Sequence, residues 1–336
     1  MRDRIRSVTI GLLAAGLTSG AALAYEPGVH EATRTGVTLG IPTGAIPPDP
    51  GIYMNINSFY YDVNVVDING HKTGIHDGTA AVAPNLMWVP GWNFLGASYG
   101  AFVVVPFVFN SADFEPVAPP CPTGNCSIRN IAGIHNPFFS PVNLSWNLGN
   151  AWFAALGFGF YAPIGTIANA KNILPPTAGT GGPGLDFWTF APRFAVSYLG
   201  DGWNLSANFF YEFNTANGRD QYTSGNVIYG DFTATKKFGK WELGPVAAFM
   251  WQTTHDTDPL GIYTTPPFDP LNQRLSKQIA VGFLVGYDFG PVKANIIFTD
   301  DVYARNTGDG AMIMSNISFK LWGPEAPAPT RPLITK

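Results

Sequence analysis

Apolar and polar residues alternate with a period of two along most of this chain, which is the period of a β-strand rather than of a helix. In segment 203–214 every second residue is apolar, and most residues between them are polar or small. Segment 241–252 repeats the alternation. In both segments the apolar face begins and ends on an aromatic residue, as in transmembrane β-barrels, whose aromatic girdles lie at the two membrane interfaces.

The alternation predicts about twelve strands, most of them longer than strands of globular sheets. They lie near 51–63, 78–90, 93–108, 138–148, 151–164, 185–199, 203–216, 225–238, 241–254, 275–289, 291–303 and 311–322. Strands of this length suit a tilted path across a bilayer.

The connections between these strands alternate between short and long. The short ones contain glycine and fall at 91–92, 149–150, 200–202, 239–240 and 290; the long ones fall near 64–77, 109–137, 165–184, 217–224, 255–274 and 304–310. Outer-membrane barrels have short periplasmic turns and long extracellular loops. A soluble β-sandwich has no reason to sort its connections in this way. We therefore expect an all-β, transmembrane, antiparallel up-and-down barrel.

The two ends of the chain differ from the barrel region. Residues 1–24 have a basic start, a short apolar core and an Ala-Leu-Ala cleavage site, which predicts a cleavable signal peptide and export to the outer membrane of a Gram-negative bacterium. Residues 25–50 are expected to form a periplasmic or plug segment ahead of the barrel, 51–322. Residues 323–336 form a Pro-rich tail that cannot continue a strand.

The composition agrees with a barrel in lipid. Charged residues make up only 12% of the chain and aromatic residues 14%. One strand face must meet lipid, which accounts for the low charge, and girdles account for part of the aromatic content. With a net charge of −4 and no basic blocks, nucleic acid is not an expected partner. The expected partners are outer-membrane lipid and lipopolysaccharide, the outer-membrane assembly machinery, and small hydrophobic or aromatic solutes.

The residues that carry chemistry do not indicate an enzyme. Neither GxSxG nor HExxH occurs, and the five histidines are expected in the N-terminal segment or in loops rather than within strands. We therefore expect no catalytic residues, no metal site and no cofactor. Cys121 and Cys126 are the only cysteines, and export to an oxidising compartment favours a small loop disulfide between them, with free thiols as the alternative.

The strand face opposite the lipid should carry any function of a barrel. The residues predicted to line this interior substrate path are Arg193, Asn208, Phe210, Glu212, Tyr229, Asp231 and Gln252. Arg193, Glu212 and Asp231 lie on three consecutive predicted strands. Two interpretations remain open: the charges neutralise one another as structural filling, or they form a polar constriction that orients a solute. Aromatic residues on the same face favour apolar or aromatic solutes over sugars.

Three short motifs resemble the meta-pathway phenol-degradation family. Pro47-Pro48-Asp49-Pro50-Gly51-Ile52-Tyr53 is similar to that family's PPPG-x-Y at the start of the first strand. The segment 220–225 is similar to its D-Y-x-S-G, and Gln252 with Asp256 to its Q-x-x-x-D. The resemblance implies an outer-membrane barrel that assists uptake of aromatic or other hydrophobic compounds for catabolism. The alternative is a structural or interaction barrel with a closed lumen.

Overall fold

The structure is a computed structural model that describes residues 31–114, 126–166, 182–261 and 275–324, without the side chains of 112–114 and 126–130. The predicted signal peptide, the disulfide loop and most of the C-terminal tail lie outside the described residues. Within the described ranges, no helix is long and apolar enough to cross a membrane.

Fifteen strands form one antiparallel sheet. They are β1 (Gly51–Val66), β2 (Lys72–Val89), β3 (Asn93–Phe94), β4 (Ala97–Val104), β5 (Phe107–Phe114), β6 (Cys126–Ile134), β7 (Phe138–Gly149), β8 (Trp152–Tyr161), β9 (Thr189–Tyr198), β10 (Trp203–Asn214), β11 (Val227–Phe238), β12 (Trp241–Gln252), β13 (Lys277–Asp288), β14 (Val292–Arg305) and β15 (Gly308–Trp322).

The sheet closes into a barrel of twelve strand positions because β15 pairs with β1. Strands β4 and β5 share one position, since both pair with β2 and only residues 105–106 separate them. Strands β6 and β7 share the next position and are separated by 135–137. Each interruption contains a proline, Pro106 or Pro137, which lacks the N–H that a ladder requires.

The two faces of the wall differ as the alternation predicts. Along β10 the even-numbered residues are turned inward and include all the buried ones, and β12 follows the same parity. Exposed aromatic residues end the outward face at both rims. They are Trp88, Trp152, Trp203, Trp241 and Trp322 at one rim, and Phe109, Trp188, Phe213 and Trp251 at the other. Trp241 and Trp251 are about 33 Å apart along the strand, which a usual tilt reduces to the ~25 Å apolar height of such barrels.

The short and long connections lie at opposite ends of the barrel, named here the turn end and the loop end. The turn end carries 150–151, 199–202, 239–240 and 289–291, and the loop end carries 162–188, 215–226 and 253–276. Some boundaries differ from the prediction. The loop-end connections expected at 64–77 and 304–310 shrink to 67–71 and 306–307, and strands occupy parts of 109–137. These strand ends are polar and glycine-rich because they extend beyond the apolar band, so their composition resembles that of loops.

Candidate binding site inside the barrel

Residues 31–50, which precede β1, lie inside the barrel, where strand side chains bind their backbone. Asp231 of β11 accepts hydrogen bonds from the N–H groups of Gly36 (3.1 Å) and Thr38 (2.9 Å) and from the Thr38 hydroxyl (2.6 Å). Thr233, two residues further along β11, accepts the N–H of Gly40 at 2.8 Å. These inward-facing groups replace the water that an irregular backbone otherwise requires.

The middle of this segment packs against one side of the barrel. Leu39 is fully buried and contacts inward-facing apolar residues of β12 to β15, which are Val246, Ala248, Leu284, Ile297 and Met314. The amide groups of Asn208 and Asn316 donate to the Thr38 hydroxyl (3.1 Å) and the Leu39 carbonyl (3.2 Å). The segment is therefore bound by both apolar burial and polar contacts.

Close approach to the wall explains the glycine at position 44. The Gly44 N–H donates to the Ser197 hydroxyl at 2.9 Å, and the Gly44 carbonyl accepts from Ser145 at 2.8 Å. A Cβ at this position would lie 2.5 Å from the backbone nitrogen of Ser197, closer than real contacts allow. The segment therefore fits between β7 and β9 only with glycine here.

The start of the described segment is held near the loop end. Arg34 forms an ion pair with Glu31 at 3.1 Å, donates to the Gln278 side chain at 3.2 Å and lies 3.5 Å above the centre of the Tyr61 ring. The Thr33 hydroxyl bonds to the Glu212 carboxylate. Residues 31–50 thus run along the lumen from the loop end to the turn end, where β1 begins.

A cavity of about 240 Å³ remains between this segment and the opposite side of the barrel. Its wall is mostly apolar and includes Phe59, Phe102, Val104, Val108, Phe138 and Phe210. Fewer polar side chains reach it, among them Asn57, Thr79, Tyr161 and Arg193. A predominantly apolar pocket with a small number of placed polar groups is the usual form of a small-molecule site.

Arg193 projects into this cavity from the middle of β9. Its guanidinium donates to the Asn143 side-chain oxygen at 3.1 Å and to the Thr43 carbonyl at 3.4 Å. Gly157 of β8 leaves space for this pair, since a Cβ there would lie 2.6 Å from the Asn143 oxygen. Among the described residues, no carboxylate lies within 4.0 Å of Arg193.

Among the described residues, Arg193, Glu212 and Asp231 form no ion pair with one another within 4.0 Å. Both carboxylates bind residues 31–50 instead, through Thr33 for Glu212 and through the backbone at 36–38 for Asp231. The alternation in the sequence places the three side chains on the inward face but does not indicate that residues 31–50 contact them.

The remaining predicted interior residues also have distinct surroundings. Phe210 lines the cavity and stacks on Tyr229, with ring centroids 4.8 Å apart and an interplanar angle of 11°. Tyr229 is itself fully buried behind Phe210. Asn208 contacts the segment rather than the cavity, and Gln252 lies at the loop end of β12. Of the seven predicted residues, only Arg193 and Phe210 line the cavity; the substrate-path role remains a prediction.

Gln252 belongs to a buried cluster that joins two loops. The Asp256 carboxylate accepts hydrogen bonds from the Tyr222 hydroxyl (2.5 Å), the Gly225 N–H (2.6 Å) and the Gln252 amide (2.6 Å). Gln252 also accepts the Ser276 N–H at 3.1 Å. Burial raises the pKa of Asp256 to about 6. The two polar motifs singled out in the sequence thus form a single structural unit that fixes the loop end.

One histidine lies within a strand rather than in a loop as expected. His76 lies within β2 and contacts Asp62 of β1 at 2.6 Å, and His135 is buried at the interruption between β6 and β7. Both positions read as loop in the sequence because polar and proline residues surround them. Within the described ranges, no group of three or more His, Cys, Asp or Glu side chains is placed to hold a metal ion.

Several residues that hold the segment were missed, including Ser145, Ser197 and Thr233. Each lies on the inward parity of its strand, so the alternation already identified its direction. The contact with residues 31–50 could not be identified, because that segment has no periodic pattern.

The fold is that of an outer-membrane β-barrel. An outer membrane channel from Pseudomonas putida F1 superimposes with a TM-score of 0.63 at 12% identity, covering 83% of this chain and 98% of that one. The Pseudomonas putida toluene transporter TodX matches with a TM-score of 0.40 at 10% identity, covering 91% and 97%. The β-domain of the Bordetella autotransporter BrkA gives 0.42 at 12%, covering 81% and 100%. No curated protein sequence matches the chain.

The particular family follows from the sequence itself. The model described as "Putative MetA-pathway of phenol degradation" matches residues 67–316, which is most of the chain. The protein belongs to this family, as the motif resemblance implied.

Proposed function

We propose that this protein is an outer-membrane channel that assists passive uptake of small hydrophobic or aromatic compounds for catabolism. The observation that carries the proposal is the cavity of about 240 Å³ beside residues 31–50, with its phenylalanine-rich wall. An engineered apolar cavity of about 150 Å³ binds benzene, so this space suffices for a single aromatic ring.

The physical need for such a channel is clear. The polar lipopolysaccharide leaflet slows the passage of apolar solutes, and a lumen with an apolar wall lowers that barrier. No energy source is required, because catabolism inside the cell maintains the gradient. The protein itself performs no chemistry in this proposal. Membership of a family named for phenol degradation and the fold shared with an outer membrane channel support it.

Residues 31–50 act in this proposal as a plug that narrows the lumen without filling it. Their contacts lie mainly with β7 and β9 to β15, whereas the cavity lies toward β1, β2, β4 and β5 and is also lined by one or two residues from each of β7 to β10. A closed structural barrel would also contain a bound segment. A transport measurement is therefore needed to distinguish a closed barrel from a channel.

The test is uptake of labelled phenol at low concentration by a deletion strain. The wild-type gene should restore uptake, and the variant Ala191→Trp should not, because Ala191 is buried and lines the cavity. Ala247→Trp is the matched control, since Ala247 lies on the outward parity of β12. Unchanged uptake after deletion, or full restoration by Ala191→Trp, would contradict the proposal.

A further inference from the structure

The cavity holds a cationic group that forms no ion pair with any acidic side chain in the described part of the chain. Two arginines line it, and their surroundings differ. Arg34 is paired with Glu31 at 3.1 Å. Arg193 has only neutral oxygen partners, from Asn143 and Thr43, among the described residues. Placing a guanidinium in a largely apolar wall without a counter-ion is costly, which makes it a favourable position for an anion.

The surroundings of Arg193 supply a surface for an aromatic ring. Arg193 is the cross-strand neighbour of Phe210, whose ring is fixed by stacking on Tyr229. Phe138 lines the same cavity and packs against Tyr161, with ring centroids 4.7 Å apart. A ligand with an aromatic ring and one acidic group could place its ring against these phenylalanines and its charge at the guanidinium.

The two acidic side chains that line the cavity, Glu31 and Asp77, do not pair with the Arg193 guanidinium. Glu31 is engaged by Arg34 and by the Thr307 hydroxyl. Asp77 lies in the loop-end half of β2, where it bonds to Asn110 of β5. Arg193 lies midway along β9. The Nε atom of Arg193 is buried and makes no hydrogen bond in the described structure. The guanidinium therefore retains capacity to donate to a carboxylate, for which its planar geometry is well suited.

We infer that Arg193 is a specificity-determining residue, and that the cavity binds one-ring aromatic carboxylates in preference to aromatic cations of the same size. The inference rests on the proposed channel function and narrows its substrate class. The alternative role for Arg193 is structural: through the Thr43 carbonyl it would merely hold residues 31–50 in place.

The test compares two ring-matched ions of opposite charge, benzoate and benzylamine, in proteoliposomes at neutral pH. Both also cross protein-free lipid through their small uncharged fractions at neutral pH, so the flux into protein-free vesicles is measured and subtracted. Wild-type protein should carry benzoate faster than benzylamine. Arg193→Gln should lower the benzoate flux by about tenfold, as expected for loss of one charge-assisted contact, without lowering the benzylamine flux. Arg193→Lys should retain most of the benzoate flux. Arg305→Gln is the control, because Arg305 lies outside the cavity lining.

Four results would overturn the inference. An equal change in both fluxes in Arg193→Gln would show that Arg193 only anchors Thr43. No change in either flux would show that it has no role in selection. Passage of phenol but not of benzoate through the wild-type protein would refute the substrate class and leave the channel function standing. Passage of neither would refute the proposed function itself.

Discussion

Removal of the Asp231 carboxylate should release residues 31–50 from the lumen. Asp231→Ala deletes three hydrogen bonds, from the N–H groups of Gly36 and Thr38 and from the Thr38 hydroxyl. Hydrogen bonds to charged groups contribute about 1.5–3 kcal/mol each, but removal of a buried carboxylate also relieves its desolvation. A net loss of about 1 kcal/mol per bond gives about 3 kcal/mol, or a roughly hundredfold larger undocked fraction.

Arg34 provides a natural reporter for this release. Its side chain is only 15% exposed in the docked state, so trypsin should cleave after it only when the segment has left the lumen. Cleavage then tracks the undocked population when docking is fast. Asp231→Ala should accelerate the appearance of a new N-terminus at Thr35 by roughly a hundredfold over wild type, measured by mass spectrometry.

The control is Asp288→Ala, which removes an equal charge from the turn end, where Asp288 contacts Lys237 and the Gly290 N–H. Heat-modifiable gel migration reports whether each barrel is intact. An Asp231→Ala barrel that is intact, yet cleaved after Arg34 at the wild-type rate, would refute the docking role of Asp231.

Three further predictions concern the cavity, the loop cluster and the lipid face. Phe210→Ala should lower unfolding stability by about 3–5 kcal/mol in chemical denaturation, because it removes a buried ring and leaves Tyr229 unstacked. The pKa of Asp256 is raised to about 6, so the folded state binds this proton more tightly than the unfolded chain. The stabilisation that protonated Asp256 provides is therefore largest below about pH 4 and falls as the pH rises through about 6. The charge of His255 opposes the rise in this pKa but does not cancel it. Asp256→Asn should reduce the difference in melting temperature between pH 4.5 and pH 7.5. Phe283→Arg, on the outward face at mid-strand, should cost about 2–4 kcal/mol in refolding into bilayers, and Phe289→Arg, beyond β13 at the turn end, about 0–1 kcal/mol.

Each of these has a contrary outcome. A Phe210→Ala barrel as stable as wild type would mean that Tyr229 repacks into the space. An Asp256→Asn variant with the wild-type difference in melting temperature would place that pH dependence on another group. Equal costs for Phe283→Arg and Phe289→Arg would contradict the assigned depth of β13 in the bilayer.

The strand pattern was predictable because lipid imposes it. Every strand that crosses the bilayer must present one apolar face, so the alternation survives in the sequence of β10 and β12 and fixes which side chains point inward. The inward direction of Arg193, Glu212 and Asp231 followed from this rule alone. The strand ends beyond the apolar band are under no such constraint, and for that reason His76 in β2 reads as loop.

The partners of the inward side chains were not predictable in the same way. Residues 31–50 lack periodicity, and Asp231, Thr233 and Ser197 accept hydrogen bonds from their backbone N–H groups, with the Thr38 hydroxyl as one further donor to Asp231. Backbone contacts leave little trace in a sequence except at positions such as Gly44, where only glycine fits. Similarly, the motifs around Tyr222 and Asp256 were recognisable as short segments of sequence. Their contact could not be predicted, because it requires two separate loops to lie close together in the fold.

The channel function is tested most directly by the flux of labelled phenol into vesicles whose outer leaflet is lipopolysaccharide and which contain the purified protein. Spontaneous passage through such a leaflet is slow, so the contribution of the protein can be measured. The proposed channel function predicts a flux above that of protein-free vesicles, which Ala191→Trp abolishes and Ala247→Trp leaves intact. A wild-type flux equal to that of protein-free vesicles would contradict it and favour a closed structural barrel.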